Sequence, residues 1–396
     1  MKTKVLIIGG GVIGGSILYH LAKKGLTDAQ LLEKGAYGSG ATGKSSGVVQ
    51  TQYLDEGDIV QRAVSMEVFE EFHRNGDIKL EITGYLRLGK YEEDTEAFKK
   101  SNEIQAKYGR ISATVRPEEI KKIIPDLDVS KVPSALWGPN DAYLDPYLLT
   151  QVFINKAKEL GAKASQNTKV ENIIIHDGSG FTVVTNKGNF ECEYIVNAAG
   201  AHADQIGRMI GVDFPVKGFR RQTAVFKTHV DYVVPHVTTY FPGREEMSVY
   251  FRDEVGGKIF AGLHSEDCEE GEQPVDPDNF KESIDREFVE ELSEKLMDVA
   301  PGFENIEFQT GWAGLYALTP DHLPIIGELD EVKGFFNCIG IGGFGGIQTS
   351  PFYGKVMADL IVDGKTDLVD VTQYDINRFK NSELMNSNAA KAFINK

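Results

Sequence analysis

The sequence predicts an α/β domain with a parallel sheet, assembled from discontinuous segments, and an α+β domain carrying an antiparallel sheet. Three features of the 396-residue chain predict it. The apolar run Val5-Leu6-Ile7-Ile8 breaks into Gly9-x-Gly11-x-x-Gly14. A second buried run, Tyr194-Ile195-Val196-Asn197, recurs far downstream. Between Val216 and about Phe308, apolar residues alternate with polar ones instead of running together.

The first run reads as a strand that turns tightly into a helix. Gly9 permits the turn, Gly11 lets backbone N–H groups approach a phosphate, and Gly14 lets the helix close on the strand. Ile17, Leu18 and Leu21 share one helical face, Gly25 stops the helix, and Ala29–Leu32 reads as the next strand. Glu33, nineteen residues after Gly14, is placed to accept hydrogen bonds from an adenosine ribose. Its charge repels a 2′-phosphate, which argues against an NADP-type ligand. Strand, glycines, helix, strand and acid together specify a Rossmann-type dinucleotide site.

The segment 38–49 is too small and polar for a core element and reads as backbone offered to a ligand. A helix follows over about Ile59 to His73, striped by Val60, Val64, Val68 and Phe72. From Gly84 come short strands, a charged helix and a proline-containing segment. Asp145-Pro146 then opens an amphipathic helix ending near Gly161. Strands are expected at Lys169 to Ile175 and Phe181 to Thr185, and in the alternating part at Thr223 to Lys227, Ser248 to Arg252 and Lys258 to His264. Helices are expected around Phe280 to Met297. The strand Phe335 to Ile339, a glycine run and a helix from Pro351 to Val362 close the pattern. The expected division is 1–84, 145–215 and 309–370 for the dinucleotide domain, 85–144 and 216–308 for the other, and 371–396 as a C-terminal tail.

Bulk properties restrict the function. The chain is 41% hydrophobic and 26% charged, without an apolar run long enough to span a bilayer. A fold beginning at about residue 4 leaves no room for a cleavable signal, so a cytoplasmic location is expected. The formal net charge of −17 argues against nucleic acid as a partner. The acidic stretch Glu266 to Glu272 reads as a solvated loop. Cys192, Cys268 and Cys338 form no CxxC pair, and the eight histidines show no ligand spacing, so no metal is expected.

The late run Gly340, Gly342, Gly345 repeats the GxGxxG spelling, but no second strand ending in an acid follows, which excludes a second NAD site. These segments, in order, carry a resemblance. With the loop Gly40 to Val48, Asn197-Ala198-Ala199-Gly200, Arg221-Gln222, Tyr250-Phe251-Arg252 and the motif Gly314 to Asp321, the chain resembles the D-amino-acid oxidase superfamily of flavoproteins nearly end to end. Within it, the chain is similar to sarcosine oxidase β-subunits and to dye-linked proline or dimethylglycine dehydrogenases.

The resemblance implies FAD. Gly9, Gly11, Gly14, Glu33 and the adjacent Lys34 would hold its ADP half. Thr42, Gly43, Lys44, Ser45, Ser46, Gly47 and Val48 would line the ribityl chain and ring. Val170 would meet the adenine, and Ala199 and Gly200 the pyrophosphate. Gly314, Gly342, Gly343, Gly345, Gly346 and Ile347 would approach the flavin, with the helix at Ser350-Pro351 turning its N-terminus toward the ring. Relatives that attach flavin covalently use a histidine or a cysteine where this chain has Lys44 and Gly314, so the FAD is expected to be noncovalent. Lys44 would either sit near the flavin or reach solvent.

The resemblance also implies an FAD-dependent oxidoreductase that oxidises the C–N bond of a secondary amine or amino acid by hydride transfer, with the imine hydrolysed afterwards. Dioxygen or another carrier would accept the electrons, and partner subunits are a further implication. Alternatives are a 2-hydroxy-acid or glycerol-phosphate dehydrogenase, or the flavin subunit of an electron-transfer complex. Gln50, Tyr53, Tyr250, Arg252, His264 and Ile347 are the substrate-facing candidates. Arg252 leads for a substrate carboxylate, against a sheet-surface ion pair. Gln50 and Ile347 replace an arginine and a lysine of the monomeric sarcosine oxidases, and Phe260 stands near the position of their oxygen-activating lysine.

Overall fold

In the computed structural model, residues 1–380 are described except 178, 245, 265–271, 304 and 344. A six-stranded sheet forms the first layer, in the order Ile325–Glu328, Phe335–Ile339, Tyr194–Asn197, Val5–Ile8, Ala29–Leu32, Lys163–Ser165. All neighbours are parallel except the first pair. Val5–Ile8 lies at its centre with every residue buried, as an unbroken apolar strand requires. Helix Val12–Lys23 packs between helices Pro146–Glu159 and Ser350–Asp363. At the crossing with the last of these, a Cβ on Gly354 would stand 2.2 Å from Ser16 Oγ, so glycine sets the approach of the two helices.

An eight-stranded sheet forms the second layer, in the order Glu307–Leu318, Lys217–Lys227, Lys258–His264, Ser248–Glu254, His236–Thr238, Tyr85–Leu88, Ala135–Gly138, Ala113–Val115. It is antiparallel apart from the parallel pair His236–Thr238 and Tyr85–Leu88. Strand Glu307–Leu318 pairs along its length with Lys217–Lys227. Residues 309–318, grouped above with the dinucleotide domain, therefore form an edge strand of this sheet. Phe226, Phe251, Ile259, Leu292 and Leu296 fill the core between the sheet and helix Arg286–Val299. Each such fully buried side chain contributes about 1.5–3 kcal/mol.

The helix expected from Phe280 begins only at Arg286. Residues 272–285 run as a strap, bridged to the sheet at Val275 and Ser283. Arg220 takes the carbonyls of Lys281 (2.7 Å) and Ser283 (2.6 Å), which a helix would need for itself. The acidic stretch of the sequence lies outside the described residues except for Glu272, as does Cys268. Cys192 and Cys338 are buried free thiols. Of the C-terminal tail, 371–380 forms two short 3₁₀ turns, tied down by Arg378 on Asp321 (2.7 Å), and 381–396 lie outside the described residues.

The carboxyl ends of four parallel strands converge, at Ile8, Leu32, Asn197 and Ile339. Their continuations, Gly9, Glu33, Ala198 and Gly340, open one crevice facing the eight-stranded sheet. Among the described residues no helix is long and apolar enough to cross a membrane, and no group of three His, Cys, Asp or Glu is placed to hold a metal ion.

Candidate active site

The crevice encloses a cavity of about 630 Å³. Gly9, Gly11, Glu33, Lys34, Thr42, Lys44, Ser45, Ser46, Gly47, Val48, Val170, Ala199, Gly200, Gly314, Gly342, Gly343, Gly345, Gly346 and Ile347 line it. So do Gln50, Tyr53, Tyr250 and His264. Three of the residues singled out in the sequence do not: Gly14, Gly43 and Arg252.

The two glycines act behind the wall. A Cβ on Gly14 would stand 1.9 Å from the Gly9 carbonyl oxygen, and one on Gly43 2.7 Å from that of Gly38, whose oxygen accepts from Gly43 N. Both keep turns closed that a side chain would wedge open. Gly9 needs its freedom directly: its φ is +117°, and a Cβ would stand 2.3 Å from Ala198 O.

One end of the cavity is a cradle of backbone. Glu33 accepts from Gly10 N and Gly35 N, both at 2.7 Å, which aims its carboxylate across the glycine turn. Helix Val12–Lys23 starts at Gly11 with no side-chain cap, and Val12 N donates to Thr42 Oγ1 (3.2 Å). A wall of glycine, helix N-terminus and acid suits a pyrophosphate and ribose. The late glycine loop closes the other side. Gly342 N donates to Ala317 O (2.9 Å), and a Cβ there would stand 2.2 Å from Ala317 N, so the loop lies directly on strand Glu307–Leu318. Helix Ser350–Asp363 follows, with Thr349 as its N-cap and Pro351 in its first turn.

Lys44 lines the cavity and pairs with Glu282 of the strap (2.9 Å). Lys34 pairs with Asp278 of the same strap (2.5 Å), and His202 and Gln205 also reach Asp278, at 3.1 and 3.0 Å. Trp312 is not in the wall; its indole N–H donates to Lys44 O (3.0 Å) and fixes that loop.

Arg252 departs from its expected role for a clear reason. Nε and Nη2 donate to Ser46 O (3.1 and 2.8 Å), and Nη1 donates to Asp253 O (2.6 Å) and Glu254 Oε2 (2.9 Å). The guanidinium lies 3.9 Å from the Tyr143 ring centre and 4.9 Å from that of Phe260. Each of its three nitrogens is engaged, two by the loop carbonyl of Ser46 and one by Asp253 and Glu254, and Arg252 is not among the residues that line the cavity.

The opposite end of the cavity is aromatic and cationic. Tyr250 stacks on His236 (6.0 Å), which stacks on Tyr85 (4.3 Å). Its phenol lies over its cross-strand partner Gly262, where a Cβ would stand 2.3 Å from the hydroxyl. Tyr240 meets His264 edge-on at 4.7 Å. Burial, reinforced by Arg221 and Arg87, pushes the His264 imidazole down to about 4, so it is neutral at pH 7. Burial lowers His236 as well.

Sequence reasoning missed Arg87. It is wholly buried, lines the cavity, and lies 5.3 Å from the ring centres of both Tyr53 and Tyr240. Nη1 donates to Tyr240 O (2.6 Å) and Nη2 to Gln52 O (3.1 Å), while Nε has no partner among the described residues. Gln50 Oε1 and His236 Nδ1, also on the wall, are likewise buried and unpaired. Arg221, paired with Glu272, adds a second cation.

The comparisons with known proteins agree with this architecture. A family model described as FAD dependent oxidoreductase matches residues 4–360. The chain is similar to the mitochondrial dimethylglycine dehydrogenase of Rattus norvegicus, 27% identical over 96% of this chain but 45% of that protein. It is similar to glycine oxidase of Geobacillus kaustophilus, 28% identical over 95% of this chain and 97% of that one. Among solved structures it is similar to L-proline dehydrogenase from P. horikoshii, with TM-score 0.84, 31% identity, and 96% and 98% of the two chains covered. The chain thus spans under half of the first relative and nearly all of the other two. Glycine cradle, the acid at the end of the second strand and the end-to-end match lead to one conclusion: the chain belongs to the family of FAD-dependent oxidoreductases.

Proposed function

We propose that this enzyme oxidises the C–N bond of an amino acid or N-substituted glycine, with noncovalent FAD and an imine product that water hydrolyses. The carrying observation is Arg87, a buried guanidinium whose Nε has no partner among the described residues, set in the cavity wall beside Tyr53, Tyr240, His236 and His264. A buried donor left without a partner costs about 1–3 kcal/mol, and a substrate carboxylate recovers that cost. The relatives named above are dehydrogenases and an oxidase of such compounds, which supports the same reading.

Bound FAD supplies the acceptor for the hydride that leaves the carbon beside nitrogen. The chain's own residues do the remaining work. Arg87 orients the substrate through its carboxylate, and the Tyr53, Tyr240 and Tyr250 rings exclude water from the reacting carbon. Arg87 and Arg221 disfavour a further positive charge, so the substrate nitrogen releases its proton to solvent on binding and presents a free lone pair. Gln50 Oε1 is available to accept an N–H from that amine. Lys44 and Gly314 offer neither imidazole nor thiol for a covalent flavin link. Dioxygen or another carrier then removes the electrons.

The test is anaerobic mixing of holoenzyme with L-proline, sarcosine, dimethylglycine and glycine, beside pyrrolidine and 2-hydroxy acids. Amino acids should bleach the flavin, and pyrrolidine, which lacks the carboxylate, should need at least about tenfold higher concentration. In Arg87→Met that preference should vanish. Bleaching by hydroxy acids alone would overturn the assignment.

A further inference from the structure

Arg62 lies outside the sequence motifs and outside the cavity wall, yet with Arg87 it is one of the two largest fully buried side chains among the described residues, at 1% exposure. It projects from helix Glu56–Arg74. Its guanidinium carbon lies 3.6 Å from the Tyr53 ring centre, the contact of a direct stack. Nε donates to Gln348 Oε1 (3.2 Å), and Nη1 donates to Asp58 O (3.0 Å) and Asp58 Oδ1 (2.8 Å). Tyr53 and Gln348 both line the cavity, the first beside Arg87 and the second at the end of the glycine loop. Gln348 in turn packs on Gly345, where a Cβ would stand 2.4 Å from its amide nitrogen.

If filling space were the whole role, an apolar side chain of this size would serve at lower desolvation cost. The charge is nevertheless held: burial works against it, and Tyr53 and Asp58 more than offset that, leaving the guanidinium above its ordinary range. Asp58 anchors it from a partly exposed position on the same helix, one turn away. The ring stack and the amide bond then join Arg62 to two residues, distant in sequence, that both line the cavity.

We infer that Arg62 is a positioning residue, which couples Tyr53 on the substrate side to Gln348 of the glycine loop on the flavin side. This rests on the proposed reading of the two ends of the cavity. The coupling fixes the ring against which substrate packs and, through Gln348 and Gly345, the loop that faces the flavin, while the buried positive charge favours added electrons there.

The experiment compares holoenzyme with Arg62→Lys, Arg62→Met and the pair Arg62→Met with Asp58→Asn, which leaves no carboxylate without its partner. Each is read by melting temperature, by flavin midpoint potential from dye equilibration with dithionite, and by KM and kcat for whichever amino acid bleaches the parent. Arg62→Met and the double variant should raise KM about tenfold, the loss of one charge-assisted contact, and move the potential to a more negative value. Arg62→Lys should restore much of the potential, because the charge stays, and little of KM, because stack and amide bond are lost. A lower melting temperature with KM and potential unchanged would reduce Arg62 to a structural part and overturn the inference. So would a raised KM with an unmoved potential. Should no amino acid bleach the parent, the proposed function fails, while the potentials of the variants still decide Arg62.

Discussion

Two glycines of one fingerprint should fail in opposite ways when each becomes alanine. At Gly14 the new methyl would stand 1.9 Å from Gly9 O, and 3.1 Å from Gly9 C, contacts that no rotamer can relieve. Helix Val12–Lys23 must move off strand Val5–Ile8, and overpacking of this kind costs about 3 kcal/mol or more. At Gly11 the methyl meets only Thr42 Oγ1, at 3.2 Å. Its backbone is extended, at φ −78°, ψ −177°, which alanine adopts without strain. Thr42 can turn away at the loss of its bond from Val12 N, about 1 kcal/mol. But Gly11 lines the cavity, so the same methyl occupies space beside the helix N-terminus where a pyrophosphate must come close. A tenfold to hundredfold loss of FAD affinity, about 1.4–2.8 kcal/mol, follows.

Stability must be read on apoprotein, because bound FAD raises the melting temperature by mass action and would mix the two effects. Fluorescence titration of apoprotein with FAD supplies the affinity. Gly11→Ala should melt close to the parent and bind weakly, and Gly14→Ala should melt well below it. Parent-like FAD affinity in Gly11→Ala, or a parent-like melt in Gly14→Ala, would refute the division of labour between wall and packing.

Two further perturbations test the cavity's surroundings. Burial pushes the Asp141 carboxyl up to about 7, so the folded protein holds a proton that the unfolded chain releases near pH 4; the stability this contributes is full below pH 4 and is lost as pH rises through 7. Asp141→Asn keeps an oxygen for Thr51 N, so its melting temperature should gain on the parent's from pH 5 to pH 8, and a constant difference across that range would count against the shift. Asp278→Asn weakens the latch of the strap on Lys34 and His202, a half-exposed contact worth at most about 1 kcal/mol. FAD should therefore leave up to about fivefold faster by stopped-flow, with the gap closing at high salt; an unchanged release rate at low salt would remove the strap from the cofactor's path.

The parts of the site legible in the sequence are those that local chain geometry dictates. Gly9 at positive φ, Gly14 against the Gly9 carbonyl, and Glu33 at the end of the next strand are needed wherever this turn meets a pyrophosphate, and spacing alone exposes them. The substrate end follows from pairing register, which spacing does not contain. Tyr250 and Arg252 are two apart on one strand and so share a face. The cavity ends between them: Tyr250 is on its wall, and one pleat further Arg252 lies beneath the Ser46 loop, opposite Phe260. Alternation gives the face of a side chain but not how far along the strand the cavity reaches.

Arg87 was hidden for the converse reason. It interrupts Tyr85-Leu86-Arg87-Leu88, where a lone arginine reads as the polar side of a half-exposed strand, yet all four residues are buried. That burial arises because Tyr85–Leu88 is an interior strand, held in parallel by His236–Thr238 and antiparallel by Ala135–Gly138. The strap shows the same limit from another side. The apolar spacing after Phe280 suits a helix, but Arg220, some sixty residues upstream, captures the carbonyls of Lys281 and Ser283 and delays the helix to Arg286. Wherever a distant cation claims a buried position or a backbone carbonyl, tertiary pairing overrides local pattern, and in this protein Arg62, Arg87, Arg220 and Arg252 all do so around one cavity.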